Sequence, residues 1–175
     1  MNAFIQNCVK VLTFATREEI CLLLEDDNKV NRRLVDSKLA DLVSREALFE
    51  VLPEENSLGM EGFIPGPNLE ADPDSEVHKK IIDKGVDRRD PSILLIDKIA
   101  DRIEKDLMSD LESLVSDIAN VHSEPRRLEL DYFGLTIRYH SWRRYFYENF
   151  NYMPFENFKD SLRDCRALLD KLQIE

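Results

Sequence analysis

The sequence predicts a mainly α-helical fold: an N-terminal three-helix unit, a long central helix, a small β-hairpin and C-terminal helices. Three observations predict it. Apolar side chains recur at steps of three or four through most of the 175 residues. Helix-start signals precede several of these runs. One stretch alone, near 127–139, alternates with period two.

The first helix is expected over Asn2–Phe14, where Phe4, Ile5, Cys8, Val11 and Leu12 share a face. Thr16, Arg17, Glu18 and Glu19 then form a capping box, in which hydroxyl and carboxylate each accept from the other residue's backbone N–H. A second helix follows from Arg17, burying Ile20, Leu23 and Leu24. Asn28 is the expected N-cap of a third, about Lys29–Phe49, with Val30, Leu34, Leu39, Leu42, Val43 and Leu48 inward.

From Pro53 to Asp74, glycines, prolines and acids replace the stripe, which reads as a linker or a functional lid. Glu76–Lys84 is a short helix ended by Gly85. Asp90 and Pro91 suit the N-cap and first position of a long helix reaching Val121, with Ile93, Ile96, Ile99, Ile103, Leu107, Leu111, Leu114 and Ile118 along it. The hairpin near 127–139 would turn at Phe133 and Gly134. Ser141–Tyr152 is an aromatic helix, and a last one follows Pro154. The domains expected are 1–52, a helical unit; 53–90, an acidic linker with a short helix; and 91–175, a helical domain carrying the hairpin.

Charge is divided unevenly. Residues 51–125 hold 18 acids and 8 bases, whereas residues 126–175 hold 8 and 9, with 11 of the 15 aromatics. A net charge of −11 argues against direct nucleic-acid binding by phosphate neutralisation and favours a basic protein partner. No apolar run approaches the roughly 18–20 residues that cross a bilayer, and Met1–Val11 lacks the pattern of a secretory signal. The expectation is a soluble protein without a membrane partner, cytoplasmic, or nuclear in a eukaryote. Cys8, Cys21 and Cys165 lie in apolar runs, as reduced structural thiols do.

Catalytic motifs are missing from the sequence. It has no glycine-rich phosphate loop and no nucleophile elbow. His78, His122 and His140 are far apart, and no metal or other cofactor is expected. Asp97 with Asp101, or Asp106 with Asp110, stand at helical spacing near Lys98 and Lys105. Such acids hold divalent cations in metal-dependent nucleases; they also form ordinary solvated faces. Arg138, Arg143 and Arg144 interleave with Trp142 and Tyr147. These residue types occur as core aromatics with paired arginines, at the centres of protein interfaces, and as base-stacking clamps.

The run Val11, Leu12, Thr13, Phe14, then Arg17, then Ile20, Cys21, Leu22, then Val30 to Val35 resembles an F-box-like segment. It lacks a Leu-Pro opening and carries four extra residues near 26–29. The resemblance implies docking onto a Skp1-like adaptor of a ubiquitin ligase through Leu12, Phe14, Ile20, Leu22, Val30 and Leu34. Without the family, the same residues are the core of a three-helix unit.

Taken together, these features point to a non-enzymatic interaction module, an adaptor or assembly subunit, with oligomerisation open. Asp97, Asp101, Asp106 and Asp110 would form an acidic steering face, and Arg138, Trp142, Arg143, Arg144 and Tyr147 a second contact. Two alternatives stand beside it: an acidic inhibitor mimicking nucleic acid, and a metal-dependent hydrolase.

Overall fold

The computed structural model describes residues 1–24, 31–72, 75–120 and 124–173. Among them are seven α-helices and one two-stranded antiparallel sheet, the expected class. The chain divides into two units, Met1–Leu95 and Ile96–Glu175. No described helix is long and apolar enough to cross a membrane.

The first unit opens with α1 (Asn2–Leu12) and α2 (Arg17–Leu24). The capping box forms as expected: Thr16 Oγ1 accepts from the Glu19 N–H at 3.2 Å, and the Glu19 carboxylate accepts from the Thr16 N–H at 2.9 Å. Helix α3 (Arg32–Ser44) is capped by Asn31, whose side chain accepts from the Leu34 N–H at 3.2 Å. The cap expected at Asn28 lies outside the described residues. Helix α3 ends five residues before Phe49. Ser44 Oγ donates to the Asp41 carbonyl at 2.7 Å, and Glu46 turns the chain with φ 57°.

Leu48 and Phe49 therefore belong to strand β1 (Leu48–Val51), not to α3. Strand β2 (Gly62–Pro65) pairs with it, placing Phe49 opposite Ile64 and Glu50 opposite Phe63. On its other edge β2 meets Ala15, which exchanges backbone hydrogen bonds of 3.0 and 2.8 Å with Phe63. Gly62 is required here: a Cβ would run into the Phe14 ring and lie 2.9 Å from the Ala15 carbonyl oxygen. Strand β2 thus lies between the bridging residue Ala15 and β1.

The expected linker over 53–90 is instead part of this unit. Glu55 accepts from the Leu52 N–H at 2.9 Å. Buried Asn56 organises the hairpin loop, donating to the carbonyls of Leu52 and Met60 at 3.0 and 2.7 Å and accepting from the Leu58 N–H at 3.1 Å. Helix α4 (Ser75–Lys84) buries Val77 and Ile81 in the core of α1 to α3. Asp90 caps as expected, accepting from the Ser92 N–H at 2.8 Å, but the element it opens is a 3-10 turn, Pro91–Ile93. The long helix starts later because Ile93 and Leu95 turn back to the hairpin loop. Ser57 N–H donates to the Ile93 carbonyl at 2.7 Å, and Leu95 N–H to that of Glu55 at 2.8 Å.

The second unit consists of α5 (Ile96–Ala119), α6 (Pro125–Phe150) and α7 (Glu156–Gln173), each in contact with the other two. Helix α5 buries Ile99, Ile103, Leu107, Leu111 and Leu114, the expected stripe; Val121 lies outside the described residues. The hairpin expected near 127–139 does not form; that segment is the first half of α6. Leu128, Leu135, Tyr139, Trp142 and Phe146 are buried at helical steps running straight through it. A lone hairpin is marginal, whereas a helix satisfies its backbone groups internally. Pro125 opens α6, and Asn151, in the left-handed region, ends it: its N–H donates to the Tyr147 carbonyl at 3.0 Å, and the Tyr152 N–H to the Phe146 carbonyl at 3.3 Å.

Candidate functional site

The N-terminal unit carries a groove of about 860 Å³. Three separate segments build it: the start of α2, one face of α3, and the β1–β2 hairpin. Leu39, Val43, Met60 and Phe63 supply an apolar lining. Leu39 is buried and Val43 half-buried, while Met60 is exposed. The lining includes four carboxylates, Glu18, Asp36, Glu50 and Glu61, against one guanidinium, Arg17.

Two of those acids are held by cations. Arg17 binds Asp36 with both of its forked N–H groups, one contact being 2.8 Å, and reaches Glu18 at 3.2 Å. Arg32 donates to both Glu18 oxygens, at 3.0 and 2.8 Å. The chain Asp36, Arg17, Glu18, Arg32 thus ties α2 to α3 along one wall. The hydrogen bond from Arg17 holds the Asp36 carboxyl below the usual aspartate range, and that from Arg32 lowers Glu18. Glu61 stands exposed beyond that chain, on the hairpin.

Across the hairpin the charge is one-sided. From Glu46 to Asp72 the sequence holds seven carboxylates and no lysine or arginine. A surface that contacts phosphates needs cations facing outward. On α3 itself Arg32 is paired with Glu18 and the cap residue Arg45 meets Asp41 at 2.9 Å, while Arg33 is exposed and Lys38 half-buried, so the one-sided charge belongs to the hairpin and not to α3.

The F-box-like set is split by burial. Leu12, Phe14 and Ile20 are wholly buried, and Phe14 lies under Gly62. Leu22 and Leu34 are exposed, and Val30 is outside the described residues.

The Arg–aromatic segment is divided as well. Trp142 is only 2% exposed, meets Tyr145 edge-to-face and packs against the tilted Phe146 ring, so it is a core side chain and not an interface anchor. Arg143 lies over the Tyr139 ring, donates to its hydroxyl at 2.9 Å and reaches Glu156 at 3.4 Å. Arg138 pairs with Asp110 at 2.6 Å. Arg144 and Tyr147 face solvent.

Asp97, Asp101, Asp106 and Asp110 are all exposed but do not form one steering face. At about 100° per residue, the first two lie roughly opposite the last two around α5, on either side of its buried stripe. Among the described residues, no three His, Cys, Asp or Glu side chains are gathered as a metal ion would need.

The groove was not anticipated from sequence, because its lining is scattered over nearly fifty positions. The usable signal was the cation-free stretch 46–72 enclosing Met60 and Phe63. No protein-family model matches the chain, and comparison with curated proteins and with solved structures finds no match.

Proposed function

We propose that this chain is a non-enzymatic protein-interaction module, an adaptor or assembly subunit, whose N-terminal groove receives a basic segment with bulky apolar side chains. One observation carries the reading: an apolar groove in which four carboxylates stand against one guanidinium, already bound to Asp36, and whose hairpin wall has no cation. Buried apolar area supplies affinity, and the acidic rim selects the partner's sign and speeds encounter. The cation-free hairpin disfavours nucleic acid on that element. Leu22 and Leu34 are the described members of the F-box-like set within reach of a partner such as a ubiquitin-ligase adaptor.

The test uses the full chain and a fluorescent synthetic peptide of alternating Lys or Arg and Leu or Phe. Anisotropy should report binding that Met60→Asp and Glu61→Lys each weaken at least about tenfold, a loss of about 1.4 kcal/mol. Unfolding midpoints should stay in place, since both side chains are exposed. Binding unaffected by either change, or tight salt-sensitive binding of a DNA duplex instead, would overturn the proposal. A second reading, an acidic chain occupying a nucleic-acid site on another protein, is favoured by the exposed Glu54, Glu61, Glu70 and Asp72 of the cation-free stretch 46–72. It separates cleanly, because Glu61→Lys would weaken that complex whereas Met60→Asp would not.

A further inference from the structure

Helix α6 carries a seam that its fold does not use. Arg126, Leu130, Phe133, Ile137, His140, Arg144 and Tyr147 follow one another at alternating steps of four and three, and all seven face solvent. They lie opposite the buried Leu128, Leu135, Tyr139, Trp142 and Phe146. Leu130 is 63% exposed, Phe133 49% and Ile137 64%. Steps of four and three are the heptad spacing by which one helix meets another along a line. Scattered exposed apolar residues are ordinary on a protein surface, whereas three in succession on such a line mark an interface.

The form of the seam points to a helix as its occupant. It is one residue wide, and His140 and Arg144 stand on the line itself. A lipid surface takes a broad apolar arc, whereas a second helix seats its side chains one at a time along a narrow seam.

The charges give the occupant's sign. Arg126 and Arg144 bracket the apolar run and Arg127 flanks the first; among the described residues none of the three meets a carboxylate. The other charges of α6 are engaged or turned aside. Arg138 is bound to Asp110 at 2.6 Å, Arg143 reaches Glu156 at 3.4 Å, and Glu129 lies 3.8 Å from Arg166. Asp131 lines the cleft toward α5. Within the helix, Glu148 is the one exposed acid beside the seam, against those three guanidinium groups. A second copy would bring arginine to arginine, Arg126 against Arg144 in an antiparallel pair and each against itself in a parallel one. Carboxylates are what the seam lacks and what a partner must supply.

We infer that the Arg126–Tyr147 seam of α6 docks an acidic amphipathic helix of a partner protein. The partner's apolar residues pack on Leu130, Phe133 and Ile137, and its carboxylates face Arg126 and Arg144. The inference is independent of the groove reading. One helix on one seam makes a small contact, so association is weak, with a dissociation constant on the order of micromolar.

The test uses the full chain and a fluorescent helical peptide of about four heptads, with Leu at its central a and d positions and Glu around them. A second peptide carries Lys in place of every Glu. Met60→Asp is placed in every chain tested, so that basic peptide entering the N-terminal groove is not counted. Anisotropy should report binding of the acidic peptide that Ile137→Asp abolishes while leaving the circular-dichroism melt intact, since Ile137 is exposed. The basic peptide should show no binding that depends on Ile137. Arg126→Glu with Arg144→Glu should weaken the acidic peptide about tenfold or more and turn the preference toward the basic one, which a merely adhesive apolar patch would not do. An acidic peptide that does not bind, or binds regardless of Ile137→Asp, would overturn the inference. So would equal Ile137-dependent binding of both peptides, or sedimentation showing a dimer of this chain that Ile137→Asp dissolves.

Discussion

Arg17 and Asp36 face each other as a guanidinium fork on a carboxylate, joining the first turn of α2 to α3 on the wall of the groove. The hydrogen bond from Arg17 depresses the Asp36 carboxyl in the folded chain. A depressed folded-state carboxyl contributes stability above its unfolded value of about 3.9, and that contribution fades as pH falls through the folded value. Asp36→Asn should therefore lower the melting temperature near pH 7 and make no difference near pH 2. Both side chains are a third to a half exposed, so the effect should be small and shrink in high salt. A difference that persisted unchanged into acid would rule out the ion pair as its source.

Trp142 is the only tryptophan and is 2% exposed. Its emission should be blue-shifted and poorly quenched by acrylamide until the second unit unfolds. Trp142→Ala should cost about 3–5 kcal/mol in urea titrations, the range for deleting a buried aromatic. Readily quenched, red-shifted native emission would return Trp142 to the surface, where an interface role could be reconsidered.

Asn56 makes its contacts to backbone groups of one loop, and its side chain is 4% exposed on a residue basis. Asn56→Ala would leave the Leu52 and Met60 carbonyls without that donor, at a cost on the order of 2 kcal/mol. Asn56→Asp keeps the acceptor for Leu58 but loses both donors, so it should be nearly as damaging. Denaturant midpoints for the two variants decide this; a neutral Asn56→Asp would mean that the donors contribute little.

Cys8, Cys21 and Cys165 are all buried and reduced. Burial pushes the Cys21 and Cys165 thiols up, which lowers their thiolate fraction at neutral pH. A disulfide-exchange reagent should react slowly with the native chain and with all three thiols after denaturation. A fast native reaction with any one of them would mark that site as open to solvent.

The parts of the fold legible in sequence were those with local causes. Thr16 and Glu19 announced α2, Asp90 announced a capped start, and the α5 stripe announced its buried face. At 127–139 two periods coincide: Leu128, Leu130 and Tyr132 alternate, yet Leu128, Leu135, Tyr139 and Trp142 also follow helical steps. Packing on α5 and α7 decides between them, and that is not a local property. The hairpin at 48–65 was hidden for a different reason. Glu46 makes its left-handed turn without the glycine that usually marks one, so Leu48 and Phe49 look like more of α3. Met60 and Phe63 looked like isolated apolar residues in a linker, because their neighbours in the groove come from 16–44.

The return of Ile93 and Leu95 to the hairpin loop has a practical consequence for dissecting the chain. A fragment cut at Gly85, just past the last helix of the first unit, would strip partners from the Glu55 carbonyl and the Ser57 amide and loosen the loop that Asn56 organises. The shortest self-sufficient N-terminal piece should run to Leu95. Limited proteolysis should accordingly spare the 86–95 segment for as long as the sheet survives.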